Sequence, residues 1–358
     1  MNFGLPAKYY RDQTVFDQET ERIFDRSWIC LGRVDSLVNP DGYRTVQVEN
    51  RPLLLLHDGE RSRVFYNVCR HRQAILCTGE SGSLNGDCVQ CPYHAWAYSA
   101  TGELVRAPNM QSSESEGFRS EDFGLVEVSS AIWNGFLMIN FGEGHSSFEE
   151  DYTAVLNVFD PWGLQRLRSR ARLEYDVGAN WKLLFQNYSE CYHCPTVHPV
   201  LSRLTPYKSA SNDLLAGAFL GGPMLLSDGV ESMTLDGKAV AKPISTLSPQ
   251  LQKQVGYYTL FPTMFISPHP DYVMVHYMSR QSTDHTRVIC ELLFDPDVEI
   301  AEADIQRAAD FWDTTNRQDW HVCELVQKGM AADLPPGPYS PLEPVLPMID
   351  KHYLSVME

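Results

Sequence analysis

Hydrophobic and polar residues follow two different patterns along the chain. Near its start, apolar residues such as Val15, Phe16 and Ile23 recur at helical spacing and predict a helix over 13–27. From about 40 to 145, short apolar runs alternate with turn signals, which is typical of a small all-β domain built from hairpins. The strands predicted in this region are 44–49, 52–57, 63–67 and 135–141.

Beyond residue 145 the apolar spacing predicts helices joined to longer strands. The longest periodic segment, 299–330, predicts one long helix, and shorter helices are expected at 147–159 and 180–194. We expect irregular structure over 202–250 and in the proline-rich tail that follows the long helix. The strands predicted here are 167–178, 256–267, 271–281 and 286–295.

These elements predict an α+β protein of two domains, and the length of 358 residues agrees with that number. The all-β domain is expected at 40–145. The segments 1–39 and 146–358 are expected to form the second domain, around an antiparallel sheet. Because 43% of the residues are hydrophobic, both domains can build sizeable cores.

Charge and cysteine content narrow the classes of function. The formal net charge of −17 gives the chain no electrostatic footprint for nucleic acid or for an anionic membrane. The first residues lack the layout of a signal peptide, and no apolar run of about 18 residues predicts a membrane span. The nine cysteines follow no regular disulfide pattern, so we expect a reduced, cytoplasmic protein.

Two matched pairs of cysteine and histidine lie in the all-β region. Cys69-Arg-His71 and Cys91-Pro-Tyr-His94 are separated by 19 residues, and the hairpin signal Asn85-Gly86 lies between them. Two loops of this kind are able to face each other across one metal site. A structural zinc site uses a Cys₂His₂ set, and a Rieske [2Fe–2S] cluster uses two cysteines for one iron and two histidines for the other. The residues alone leave both alternatives open.

A second candidate group joins His193 and His198 with Asp319. The two histidines are five residues apart and would point in different directions on a straight helix, but Pro195 lies between them and should break it. Asp319 falls on the apolar face of the predicted long helix, where an unpaired carboxylate needs a proton, a cation or a metal. Two histidines and one carboxylate form the facial triad that binds non-haem Fe(II), although the histidines alone also fit ordinary packing.

Both groups resemble, in their surrounding sequence, the alpha subunits of Rieske non-haem iron oxygenases. The matching stretches are NVCRHR, CPYHAWAYSATGEL and NYSECYHCPTVHP. The last is most similar to members that act on quaternary ammonium compounds such as choline, glycine betaine, carnitine and stachydrine. The resemblance covers nearly the whole chain. It implies an all-β Rieske domain followed by a helix-grip catalytic domain, in which an antiparallel sheet surrounds the long helix.

The resemblance also implies a role for each candidate residue. The implied ligands of the [2Fe–2S] cluster are Cys69, His71, Cys91 and His94. The implied ligands of a mononuclear Fe(II) are His193, His198 and Asp319. Glu190 is expected to be the bridge that carries electrons from the cluster of a neighbouring subunit, and Asn187 is expected to support the iron site. One departure is Gln73, which stands where the family commonly has Gly or Ala.

The partners implied are a small molecule, a reductase and further copies of the chain. The resemblance implies a homotrimer that receives electrons from NAD(P)H through a separate flavin and iron–sulfur reductase, since the chain itself has no G-x-G-x-x-G fingerprint. The expected reaction uses O₂ to hydroxylate or N-demethylate a betaine-like quaternary ammonium compound. One alternative is hydroxylation of an aromatic acid, and another is a zinc-stabilised binding module without enzymatic activity.

Overall fold

The chain forms two compact units in a computed structural model that describes residues 2–37, 42–84, 86, 88–110 and 117–358. The smaller unit comprises 31–132 with 136–141, and the larger comprises 1–30, 133–135 and 142–358. The smaller unit thus starts at residue 31, before the predicted start at 40, and ends at residue 141, before the predicted end at 145. Its earlier start arises because the strand at Ile29–Arg33 joins the same sheet as the later strands.

The smaller unit contains a seven-stranded sheet and a three-stranded sheet, in the order β1-β10-β9-β4-β3-β2-β5 and β6-β7-β8. The strands of the larger sheet are β1 (Ile29–Arg33), β2 (Gly42–Val48), β3 (Arg51–His57), β4 (Ser62–Tyr66), β5 (Ser81–Ser83), β9 (Glu127–Trp133) and β10 (Phe136–Asn140). Those of the smaller sheet are β6 (Cys88–Gln90), β7 (Ala97–Ser99) and β8 (Leu104–Arg106). Three short helices lie near the start of the chain. Two of them, α1 (Lys8–Arg11) and α2 (Gln13–Glu19), belong to the larger unit, and α3 (Val34–Leu37) belongs to the smaller unit. The four strands predicted in this region are confirmed. The predicted hairpin signal Asn85-Gly86 includes Asn85, which lies outside the described residues.

A hydrophobic core of the smaller unit lies against the two candidate cysteines. Leu54 and Leu56 of β3 and Phe65 of β4 are almost completely buried, and they belong to one cluster with Cys69 and Cys91. Burial of these apolar side chains stabilises the unit by removing them from water. It also places both sulfur atoms in a water-poor setting.

The larger unit is built on a second seven-stranded sheet, whose paired strands are antiparallel in the order β11-β17-β16-β15-β14-β13-β12. Its strands are β11 (Arg168–Val177), β12 (Leu214–Ala216), β13 (Phe219–Leu225), β14 (Gln254–Leu260), β15 (Met264–Pro268), β16 (Val273–Ser282) and β17 (His285–Phe294). Its later helices are α4 (Phe148–Asp151), α5 (Trp181–Tyr188), α6 (Cys194–Val197), α7 (Leu201–Leu204), α8 (Glu302–Gly329) and α9 (Leu346–Met357).

The long helix α8 packs on this sheet through polar as well as apolar contacts. Trp312 donates a hydrogen bond from Nε1 to the hydroxyl of Tyr272 at 2.7 Å, and Asn316 lies 3.2 Å from Nε2 of the buried His276. The predicted α+β class, with an antiparallel sheet and a long helix, is therefore confirmed. No helix among the described residues is both long and apolar enough to cross a membrane.

The predicted strand 256–267 and the predicted irregular region 202–250 need correction. The first is two strands, β14 and β15, because Pro262 lies between them and has no N–H for the ladder. The second contains β12 and β13. Glycines hide the signal of β13: Gly221 has φ +133°, and a Cβ there would lie 2.1 Å from the carbonyl oxygen of Tyr257.

The helix predictions are also wrong in three places. The helix predicted over 147–159 is only α4 followed by turns, and the helix predicted over 180–194 ends at Tyr188. The tail is not loop-like throughout, because α9 forms there. The many prolines of the tail led to the prediction of a loop. Pro347 is nevertheless compatible with α9, because it lies in the first turn, where a missing N–H breaks no intrahelical bond. The buried residues that follow helical spacing are Leu346, Ile349, Tyr353 and Met357.

A buried carboxylate, Glu19, connects four segments of the larger unit. Its Oε1 accepts hydrogen bonds from Lys182 Nζ at 2.5 Å and from the Tyr353 hydroxyl at 2.7 Å. Its Oε2 accepts from Trp181 Nε1 at 2.9 Å and from Arg280 at 3.3 Å. Burial lowers the pKa of Lys182 to about 8, although the nearby Glu19 opposes that shift. The end of α2, the start of α5, strand β16 and helix α9 therefore meet at one charge.

Replacing Glu19 by Gln should destabilise the larger unit strongly. The variant leaves Lys182 and Arg280 buried without their counter-charge, a loss that costs about 3–5 kcal/mol in comparable buried pairs. Urea unfolding of the purified holoenzyme should show the change as a lower midpoint. Glu21→Gln, at an exposed position two residues away, is the matched control and should unfold like the parent protein. Equal midpoints for the two variants would contradict this role of Glu19.

Candidate active site

Two histidines and one aspartate converge in the larger unit. Nε2 of His198 lies 2.8 Å from Oδ1 of Asp319, and Nε2 of His193 lies 3.2 Å from the same oxygen. One donor atom from each of the three residues lies within 4.8 Å of the others. A set of two imidazoles and one carboxylate, presented on one side, fits a metal ion that keeps further positions open. The structure thus brings together the three residues predicted as iron ligands.

The local fold explains how two histidines five residues apart can converge. Helix α5 begins at the N-cap Asn180, whose side chain accepts a hydrogen bond from the backbone N–H of Lys182. It ends at Tyr188, and a bend follows before the short helix α6. His193 directly precedes α6 and His198 directly follows it, so that both side chains are placed by the ends of one helical turn. Pro195 lies in the first turn of α6 and favours a new helix at that point.

Each histidine is oriented by a second hydrogen bond at its other ring nitrogen. Nδ1 of His193 lies 2.5 Å from Oε1 of Glu190, and Nδ1 of His198 lies 2.8 Å from Oε1 of Gln318. Because both Nδ1 atoms are engaged by acceptors, both Nε2 atoms are directed toward Asp319. Such outer partners fix the ring orientation of metal-ligating histidines. The sequence reasoning assigned no role to Gln318, although its position next to Asp319 on α8 was a signal.

Glu190 is itself held in place by the backbone. Its Oε2 accepts hydrogen bonds from the N–H groups of Tyr192 and His193. The carboxylate is largely buried, with 10% of its side chain exposed. Glu190 therefore lies directly beside the candidate iron ligands, where a bridging residue was predicted. Asn187, the other predicted supporting residue, lines the same cavity three residues earlier in the chain.

The electrostatics of the three ligands also suit a cation. Burial by itself would raise the pKa of Asp319, but hydrogen bonds from His193 and His198 outweigh it and hold the pKa below its usual value. Burial by itself would lower the pKa of His193, yet its hydrogen bonds to Asp319 and Glu190 raise that pKa to about 10. The His193 imidazole therefore holds a proton when no metal is bound, and a metal ion would displace that proton.

A cavity opens beside these residues and holds about 790 Å³ of empty space, part of it open to solvent. One wall is the face of the sheet that includes Tyr257 of β14, and another is α8 with Trp312. Tyr188 at the end of α5 also lines it. Its acidic side chains among the described residues are Glu190 and Asp319, and these residues include neither lysine nor arginine. The cavity therefore combines aromatic faces with negative charge.

Cys191 and Cys194, which surround His193, are joined by a disulfide and have Cα atoms 5.0 Å apart. The expectation of a fully reduced chain is therefore wrong for this pair, because the bend between α5 and α6 brings the two side chains together. Both cysteines line the cavity. Among the described residues the other seven cysteines are free thiols.

The smaller unit presents the two predicted cysteine–histidine loops as near copies of each other. The N–H of Cys69 donates to the carbonyl of Ala74 at 2.8 Å, and the N–H of Cys91 donates to the carbonyl of Trp96 at 2.7 Å. In each loop the fourth residue after the cysteine is left-handed, with φ of 57° at Gln73 and 56° at Ala95. This conformation explains why Gly is common at the position of Gln73.

Burial separates the two kinds of ligand in these loops. Cys69 and Cys91 are 1% and 2% exposed, whereas His71 and His94 are exposed and their ring centroids lie 4.7 Å apart. Burial, followed by the neighbouring Cys69 thiol, raises the pKa of Cys91. Two buried sulfurs and two exposed imidazoles match the donor set of a Rieske cluster, which uses each kind of residue on a different iron.

The hydroxyl of Tyr98 is close to one of these sulfurs. It lies 3.4 Å from Sγ of Cys69 and accepts a hydrogen bond from the N–H of Arg70 at 3.0 Å. If Cys69 holds a cluster as a thiolate, the sulfur has no proton and the Tyr98 hydroxyl would be the donor of this hydrogen bond. Hydrogen bonds to ligand sulfurs are one of the factors that set the potential of an iron–sulfur cluster.

Comparison with known proteins places each unit in a known family. The model of the ring hydroxylating alpha subunit (catalytic domain) matches residues 164–358, and that of the Rieske [2Fe–2S] domain matches 27–126. The chain is 27% identical over 378 residues to the glycine betaine monooxygenase oxygenase subunit of Pseudomonas aeruginosa, covering 95% of this chain and 85% of the relative. It is 35% identical over 201 residues to the carnitine monooxygenase oxygenase subunit of Escherichia coli K12, covering 55% and 53%.

Solved structures show the same fold. A quaternary ammonium Rieske monooxygenase superposes with a TM-score of 0.82 at 22% identity, covering 99% of this chain and 95% of the other. The two matched domains imply a Rieske [2Fe–2S] cluster and a mononuclear iron, and the observed donor sets fit both. The chain therefore belongs to the ring-hydroxylating alpha-subunit family of oxidoreductases, as a Rieske oxygenase.

Proposed function

We propose that this chain is the oxygenase component of a Rieske monooxygenase that hydroxylates and N-demethylates a betaine-like quaternary ammonium compound. The observation that supports it best is the cavity beside His193, His198 and Asp319, which offers aromatic faces and carboxylates but neither lysine nor arginine among its described residues. A quaternary ammonium group has no N–H to donate, so aromatic faces and negative charge are what bind it. The names of the glycine betaine and carnitine relatives support the same class of substrate.

The metal ligands are proposed residue by residue. His193, His198 and Asp319 would hold the mononuclear Fe(II), and Cys69, Cys91, His71 and His94 would hold the cluster. When bound, the iron supplies O₂ activation for C–H hydroxylation and the cluster supplies single electrons. Hydroxylation of an N-methyl group yields a carbinolamine, which releases formaldehyde and the demethylated amine.

The chain's own residues orient the iron site and bind the cation. Glu190 and Gln318 hold the two imidazoles so that both Nε2 atoms are directed at Asp319. Tyr188, Tyr257 and Trp312 provide ring faces for the methylated nitrogen. Asn187, which lines the same cavity, is proposed to support the iron site. Together these groups would place an N-methyl carbon beside the metal position.

Electron supply requires other chains. We propose a cytoplasmic homotrimer in which the exposed His71 and His94 of one subunit approach Glu190 of the next. A head-to-tail contact of this kind closes as a ring. The electrons would come from NAD(P)H through a separate flavin and iron–sulfur reductase.

Turnover with a panel of substrates tests the proposed reaction. The iron-loaded protein, coupled to a generic Rieske reductase and NADH, should release formaldehyde with glycine betaine, carnitine, γ-butyrobetaine or choline. The amount of formaldehyde should equal the amount of O₂ consumed, because one methyl group is removed per O₂. Hydroxylation of an aromatic acid such as benzoate, without formaldehyde from any of the four amines, would reject the proposal.

Replacing Asp319 by Ala should remove the mononuclear iron and leave the cluster. Loss of one of three protein ligands should lower activity more than about 100-fold, since even outer partners of metal ligands contribute about 10–100-fold. Elemental analysis should show the loss of iron, and the visible spectrum should keep the red-brown absorption of the cluster. Asp310→Asn, an exposed change on the same helix, should retain both. Retained iron and activity in Asp319→Ala would disprove the proposed triad.

Replacing Glu190 by Gln should separate electron transfer from metal binding. A glutamine oxygen can still accept a hydrogen bond from His193, so both metals should remain. Turnover should fall about 10–100-fold, as for other residues in contact with a metal ligand. Stopped-flow oxidation of the reduced cluster in the presence of substrate and O₂ measures the step directly. An unchanged oxidation rate would show that Glu190 is not the bridge.

A further inference from the structure

The Cys191–Cys194 pair encloses the proposed iron ligand His193 within a four-residue segment. Sγ of Cys194 lies 3.9 Å from Nε2 of His193, the ring nitrogen that faces Asp319. Cys194 is buried at 4% exposure, whereas Cys191 is only partly buried. Both residues line the cavity, so small molecules that enter it come close to the pair.

The distance of 3.9 Å is close to the one that two ligands of a single metal require. With Zn–N and Zn–S bonds of about 2.05 and 2.3 Å in a tetrahedron, the nitrogen and sulfur are about 3.6 Å apart. The observed separation exceeds that distance by only a few tenths of an ångström, and release of the Cys194 side chain from the disulfide would let Sγ turn toward the metal position. The disulfide prevents this, because a sulfur bonded to another sulfur is not a thiolate, and the thiolate is the ligand.

A thiolate at this position would change which metal the site prefers. Two imidazoles and one carboxylate with open positions suit Fe(II). The same set with a thiolate becomes a four-coordinate site of the kind that zinc occupies, and zinc already binds more tightly than Fe(II) to most such ligands. A site closed by four protein ligands also has no open position for catalysis.

The surroundings of the pair make it suited to reversible reduction. Among the described residues, Cys191 and Cys194 form the one disulfide, and the other seven cysteines are free. Disulfides in reducing compartments are usually redox-sensing or catalytic. The partly buried Cys191 is the sulfur that a thiolate can attack. A dithiol reductant would convert Cys191–S–S–Cys194 and two thiols into two cysteine thiols and one new disulfide. A low-molecular-weight disulfide would reverse the reaction and release two thiols.

We propose that Cys191 and Cys194 form a redox-controlled metal-selection site: the disulfide keeps the iron site open, and its reduction adds Cys194 as a fourth ligand that favours zinc. This inference rests on the proposed function, since it takes His193, His198 and Asp319 as the metal ligands. It assigns to the cysteine pair a role that neither the cluster nor the oxygenation reaction requires.

Two variants of the pair separate this proposal from a merely structural disulfide. Cys191→Ser cannot form the disulfide but keeps the Cys194 thiol, and so it imitates the reduced protein. Cys194→Ser cannot form the disulfide either, but it lacks the sulfur beside His193. The two changes remove the same covalent bond, so that any difference between them reports on the Cys194 thiol.

Metal selection is measured in the full-length protein with its cluster, without turnover. After anaerobic removal of the mononuclear metal, equal amounts of Fe(II) and Zn(II) are offered and the bound metals are determined by elemental analysis. Cys191→Ser and the dithiol-reduced parent should bind zinc over iron at least tenfold more strongly than Cys194→Ser or the oxidised parent. Co(II) should give a thiolate-to-cobalt charge-transfer band in the first pair and not in the second.

The outcomes distinguish failure of this inference from failure of the proposed function. Equal zinc preference in the two variants, with no charge-transfer band in either, would overturn the inference and leave the iron site standing. If Asp319→Ala bound Co(II) as well as the parent protein in both redox states, the proposed metal site itself would fail. Mass spectrometry of alkylated peptides with and without reductant establishes the state of the pair in each sample.

Discussion

The charge of Glu19 is the constraint on which the larger unit depends. One carboxylate without solvent contact neutralises Lys182 and is shared with Arg280, so that neither cation can be buried unless α2, α5 and β16 come together. Separating the partners of a buried ion pair leaves unpaired buried charges, so arrangements in which these segments do not meet are disfavoured. Lys182 lies in the first turn of α5, the helix that precedes His193 and His198 in the chain. The ion pair with Glu19 therefore also fixes the start of that helix.

The active site draws on two parts of the chain that are more than a hundred residues apart. The bend between α5 and α6 contributes the histidines, and α8 contributes Asp319 and Gln318. Because a buried carboxylate is costly alone, the two imidazoles and Asp319 stabilise one another when no metal is bound. Contacts of α8 with the sheet, such as Trp312 with Tyr272, hold the two parts in register. The site thus combines a bend whose side chains are held by hydrogen bonds with a helix that packs on the sheet.

The parts of this protein that were predictable from sequence are those encoded over short distances. Spacing alone placed Cys69 with His71 and Cys91 with His94, and the helical stripe put Asp319 on the inner face of α8. Contacts made only in the folded chain were not predictable. The hydrogen bond from His198 to Gln318 and the disulfide at Cys191 depend on where a helix ends, which the periodicity of 180–194 did not reveal. Strand β13 was missed because its two glycines serve a close approach of backbones.

The left-handed residues Gln73 and Ala95 have a consequence for how the smaller unit acquires its cofactor. A non-glycine residue in this conformation carries a conformational cost, and here backbone hydrogen bonds across each loop maintain it. Part of the order of each loop is therefore supplied by the hydrogen bonds of the fold and not by the ligand. Insertion of a cluster would require little loss of chain entropy at that moment, so affinity for the inorganic core is set mainly by the sulfur and nitrogen bonds themselves. In the same way, loss of the cluster would leave a receptive apoprotein in place of an unfolded one.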